Sequence, residues 1–127
     1  MSPIAKLFLM LGGINAALVV ALGAFGAHGL KARLAADMLA AYQTGVHYHL
    51  FHALGLLAVG LVATQIADSA WLRWSGGLML AGIVLFSGSL YLLSVSGLRG
   101  LGMVTPFGGL AFIAAWVGFV IAIVKSG

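Results

Sequence analysis

Formal charges interrupt this chain so rarely that they divide it into runs long enough to cross a membrane. Lys6 and Lys31 enclose 24 uncharged residues, Asp37 and Asp68 enclose 30, Arg73 and Arg99 enclose 25, and Arg99 and Lys125 enclose another 25. A transmembrane helix needs about 20 mostly apolar residues, at ~1.5 Å each, to span a ~30 Å hydrocarbon layer. Each run holds one crossing and none holds two. Four spans are expected, Ile4 to Ala27, Tyr42 to Thr64, Leu72 to Val95 and Pro106 to Val124.

Composition excludes the alternative of a soluble domain. Only 6% of the 127 residues are charged and 63% are apolar, with a mean hydropathy of +1.19, whereas soluble domains carry roughly 25% charged residues. The net charge of +4 is scattered singly, so no clustered basic patch exists for a nucleic-acid partner. The chain has no Cys, which removes disulfide and thiolate chemistry. The expected fold is all-α, a single domain over residues 1–127 built as an integral membrane bundle of four transmembrane helices.

Local signals agree with the hydropathy. Ser2 before Pro3 and Thr105 before Pro106 place a capping hydroxyl ahead of a proline that a first helical turn tolerates. Gly29 and Gly97 stand where left-handed closing residues are expected. Trp71, Arg73 and Trp74 read as interfacial anchors. The first apolar run exceeds the 7–15 residues of a signal-peptide core and no clean cleavage site follows, so it is expected to be retained. Between the first two spans, Leu30, Leu34 and Met38 recur four apart amid Lys31, Arg33 and Asp37, which predicts a short amphipathic helix in the headgroup plane. Lys6, Arg73 and Lys125 fall on one membrane face and Lys31, Arg33 and Arg99 on the other, a balance from which the positive-inside rule assigns no orientation.

Helices in lipid associate through small residues and a few hydrogen bonds. Helix contacts are expected along Ser75, Gly82, Ser89 and Ser96 in the third span and Ala114, Gly118 and Ala122 in the fourth. In the first span they are expected along Gly12 and Ala16, and along Gly13, Ala17 and Ala21. A self-association seam, giving a homo-oligomer, uses the same motif. Asn15, Gln43, Thr44, Ser87 and Ser89 should face the bundle, where partners exist.

Three of the four histidines lie between Tyr42 and His52. At ~100° per residue His49 and His52 share a face while His47 points away, and His28 at the end of the first span is the candidate third member. Imidazoles suit Zn, Cu or Fe, yet the set lacks the second-shell carboxylates of a catalytic zinc site, and no H-E-x-x-H is present. Neither a metal nor another cofactor is therefore expected. A proton relay is the alternative use of such residues. The plainer one is that neutral histidines hydrogen-bond backbone carbonyls or Tyr42 and Tyr48. The glycine-rich turn from Gly23 to Gly29 lacks the flanking strand and G-K-[ST] of a phosphate loop. The start of the fourth span at Thr105 offers helix N–H groups to an anion, with Lys31, Arg33 and Arg99 on the same face.

Four segments resemble, in order, the motifs of one family. They are Gly23 to Leu30, Tyr48-His49-x-x-His52-Ala53-Leu54-Gly55-Leu56, Phe86-Ser87-Gly88-Ser89-Leu90-Tyr91, and Thr105-Pro106-x-Gly108-Gly109. Together they are similar to the small bacterial inner-membrane proteins typified by YgdD and YwdK. The resemblance implies four transmembrane helices and a plasma-membrane location, and it implies no reaction. The expected function is non-enzymatic: binding a lipid, another small amphipathic ligand or a membrane-protein partner near the interface where the first helix ends and the fourth begins. His28, His49, His52, Lys31, Arg99 and Thr105 are the candidate ligand-binding residues. The runner-up is a small channel or transporter with a histidine proton or metal relay.

Overall fold

The computed structural model describes residues 1–127 as four long helices and no strand: α1 (Pro3–Leu30), α2 (Ala36–Ala63), α3 (Ala70–Ser96) and α4 (Arg99–Lys125). Each is long and apolar enough to cross a membrane, so the protein is a multi-pass membrane bundle. Every expected span is present, longer by one to seven residues at most ends. Ser2 caps α1 by accepting from the Ala5 N–H at 3.2 Å. Gly97 ends α3 at φ +75°, the left-handed geometry that glycine adopts without strain.

Three local expectations are corrected. No interfacial helix forms between the first two spans. Residues 26–30 continue α1 as a π-helical stretch, a turn follows, and α2 already begins at Ala36. The Leu30–Leu34–Met38 pattern is thus divided between the end of one crossing and the start of the next. Gly29 is not a left-handed closing residue, since Gly97 and Gly127 alone have positive φ. Thr105 is not a cap either. A 3-10 stretch, Arg99–Met103, leads into the α-helical part, Thr105–Lys125, and no side chain caps that start.

The two hairpins α1–α2 and α3–α4 pack tightly within themselves and join along α2 and α3. Glycine sets these distances. A Cβ added at Gly12 would stand 2.9 Å from the Leu57 backbone nitrogen, and one at Gly60 2.9 Å from that of Leu9. In the other hairpin Gly82 receives the Phe112 ring, and Gly108 lies against the Phe86 backbone, which an added Cβ would strike. The small-residue seams are therefore real, with shifts. Gly118 and Ala122 are buried, but Ala114 is exposed and Ala115 takes its place; Gly13, Ala17 and Ala21 face outward.

In α3 the buried seam runs Leu72, Met79, Ser87, Ser94. Its spacing slips by one residue across the π-helical stretch Ile83–Gly88, because a π turn inserts an extra residue into the α ladder. Ser75, Gly82 and Ser89 are buried as the sequence indicates, while Ser96 is exposed in the last turn.

The apolar core lies in the half of the bundle nearest the chain ends, around Phe8, Leu56, Val59, Leu72, Met79 and Ala115. Trp71 and Trp74 are exposed on that side, Arg73 pairs with Asp68, and the Lys125 ammonium sits 5.8 Å from the Trp71 ring centre. The other half holds the buried polar groups.

Candidate functional site

His49 and His52 stand one helical turn apart on α2, both almost fully buried, and they serve different neighbours. The Asn15 amide donates to the Leu11 carbonyl at 2.9 Å, which turns its oxygen toward α2. That oxygen accepts from His49 Nε2–H at 2.9 Å, so Nδ1 carries a lone pair and accepts from the Tyr91 hydroxyl at 2.8 Å. One chain of hydrogen bonds thus joins α1, α2 and α3. Gly45 makes it feasible, since a Cβ there would come within 3.0 Å of the Tyr91 ring.

His52 turns to α4. Its Nδ1–H donates to the Tyr48 backbone carbonyl at 2.8 Å, and its Nε2 accepts from the Trp116 indole N–H at 3.0 Å. The imidazole stacks on Phe112, with ring centres 3.5 Å apart and planes 5° from parallel. His52 is therefore neutral, its Nε2 lone pair held by a group that can only donate, and every ring nitrogen of both histidines is engaged. A second proton on His52 would set N–H against N–H at Trp116.

Because α2 and α3 form the shared middle of the bundle, each outer helix leaves a lateral opening. The opening between α2 and α4 is a groove of about 790 Å³ lined by His47, Tyr48, Phe51, His52, Phe86, Phe112 and Trp116, among others. It begins at Pro106, close to the start of α4. The opening between α1 and α3 is smaller, about 420 Å³, and reaches Asn15, His49 and Tyr91.

The remaining sequence candidates are not gathered with these histidines. His28 and Lys31 are exposed at the end of α1. Arg99 pairs with Asp37 at 2.9 Å, which ties the α3–α4 turn to the start of α2. The Thr105 hydroxyl is 2.6 Å from that of Ser89. The Val104 and Phe107 N–H groups donate to the Leu101 and Val104 carbonyls, which removes two donors from the anticipated anion site. All four of these residues lie outside the two grooves. No three histidine or acidic side chains converge in a set that could hold a metal.

Trp116 escaped the sequence reading, as did the role of Tyr91. The available signal was the indole N–H in the middle of an apolar helix, which needs an acceptor in lipid. Ser75 and Ser87, by contrast, donate to the Ala115 and Gly45 carbonyls and act as ties between helices.

Comparison with known proteins places this geometry. A family model described as protein of unknown function (DUF423) matches residues 22–109. The membrane protein YwdK of Bacillus subtilis is 52% identical over 120 residues, covering 94% of this chain and 98% of YwdK. A membrane protein of Staphylococcus saprophyticus is 43% identical over 94% of this chain and 98% of its own. The inner membrane protein YgdD of Escherichia coli is 44% identical over 87% of this chain and 84% of YgdD. No solved structure matches.

Proposed function

This chain belongs to the DUF423 family, and from its geometry we propose that it is a non-catalytic protein of the plasma (inner) membrane that holds a lipid or another small amphipathic molecule in the groove between α2 and α4. The inner-membrane name of YgdD and the four apolar spans support the location. The groove itself carries the ligand. It is open sideways, its volume lies within the ~300–1,000 Å³ of small-molecule sites, and its walls are aromatic and apolar. The Pro106 end of the groove lies nearest the membrane face, and an amphipathic guest would keep its polar end there, with its apolar part against the exposed Tyr48 and Phe51 deeper in the span. The exposed His28 and Lys31 at the end of α1 lie on the same membrane face and suit an anionic headgroup.

A histidine relay is less well supported. His52 Nε2 is held by the Trp116 indole N–H, which cannot accept, so a relay through the pair would first have to break that bond.

Native mass spectrometry of protein purified in mild detergent tests the proposal. The expected result is a reproducible bound lipid that is lost in Ile113→Trp, which fills the groove from an exposed position of α4. Unchanged lipid content in that variant, or a delipidated protein of unaltered stability, would overturn it. A mass corresponding to a second copy or a foreign chain, in place of lipid, would assign the groove to a protein partner instead.

A further inference from the structure

The smaller opening, on the other side of the α2–α3 pair, has aliphatic walls and a polar floor. Leu18, Leu22, Leu80, Ile83, Val84 and Leu92 line it, and Asn15, His49 and Tyr91 stand at its base. We propose that this α1/α3 groove is a separate binding site for an uncharged lipid that presents a carbonyl oxygen to the Asn15 amide.

Depth is the first argument. Asn15 lies 12 residues into α1, roughly 18 Å along the axis at ~1.5 Å per residue, near the middle of a ~30 Å hydrocarbon layer. Polar side chains at that level are costly and mark functional positions. The second argument is hydrogen-bond capacity. A carboxamide has two N–H donors. One donates to Leu11 and the oxygen is taken by His49, and the other N–H meets no acceptor in the protein. The Leu11 carbonyl and His49 hold the two ends of the amide, and the half-buried Tyr91 holds the other nitrogen of His49, so the spare donor is kept in place.

Charge supplies the third argument. No charged side chain lines the groove, and a carboxylate or phosphate would stand unpaired at this depth. A neutral carbonyl matches one donor with one acceptor, and the aliphatic walls take the chain attached to it. Both a quinone with an apolar tail and a glyceride ester have this chemistry.

Asn15 is the sole asparagine of the chain, so asparagine labelled with nitrogen-15 gives one side-chain amide resonance. The protein is held in dodecylmaltoside micelles, which contain no carbonyl, and titrated in separate arms with a decyl-tailed benzoquinone and with dioleoylglycerol. The expected result is a saturable downfield shift of one amide proton while the proton bonded to Leu11 stays. Leu18→Trp, and independently Leu92→Trp, fill the groove from exposed wall positions outside the hydrogen-bond chain. Each should raise the half-saturating concentration about tenfold, the scale of a steric clash in a packed site. A response in one arm identifies that source, and a response in both identifies the shared carbonyl. No shift in either arm, or a shift that grows linearly and persists in both tryptophan variants, would overturn the proposal. The readout is confined to the α1/α3 side and is independent of what the aromatic groove binds.

Discussion

His49 and His52 occupy the same stripe of one helix, yet one is wired into side chains of two other helices and the other into a backbone carbonyl and a single indole. Around His49 every partner is a polar side chain, so its loss orphans the Asn15 oxygen and the Tyr91 hydroxyl together. Around His52 the Tyr48 carbonyl keeps its place in α2, and only the Trp116 N–H is orphaned. The difference teaches that the stability a histidine contributes in lipid depends on what it leaves behind.

The sharpest way to break the contrast is to collapse both sites at once. Phe86 lines the aromatic groove and belongs to the π stretch that also walls the other groove. Gly108→Ala would press on its backbone, and a loss of about 3 kcal/mol is expected, read as a large drop in melting temperature in detergent. Next comes the contrast itself. His49→Leu should cost about 2–3 kcal/mol for two orphaned groups and His52→Leu about 1 kcal/mol for one. Equal losses in chemical denaturation would refute the asymmetry. Tyr91→Phe removes one bond from the stronger site and should cost about 1 kcal/mol, measured the same way. Asp37→Asn should leave the melting temperature unchanged, because its pair with Arg99 is exposed and exposed pairs add little.

The number and order of the crossings were legible from the charge-free runs alone, because nothing but helix satisfies a backbone in lipid, while their ends were not, since α2 and α4 take in Asp37 and Arg99. In α3 the expected stripe holds at Ser75, Gly82 and Ser89 and fails at Ser96. The π stretch then shifts Ser87 and Ser94 into the seam, and no residue between Ile83 and Gly88 announces that extra turn in a pattern of seven. His49 and His52 were expected on one face of their helix, and both are buried there. Their separate partners were not legible, since those depend on which helix stands opposite each face, and that comes from glycine seams spread over four helices. The expected grouping with His28, Lys31, Arg99 and Thr105 rested on a shared membrane face. Sharing a face fixes height along the bundle normal and says nothing about azimuth.

The glycine notches at 12, 60, 82 and 108 also limit how this molecule moves. Each receives a neighbour's bulk at one height, so a one-turn slide of ~5.4 Å would drive that bulk into ordinary side chains at the level above or below. Piston strokes are blocked, and with them any cycle that lifts one helix past another. A guest of the kind proposed would then have to come and go in the plane of the bilayer, sideways against acyl chains.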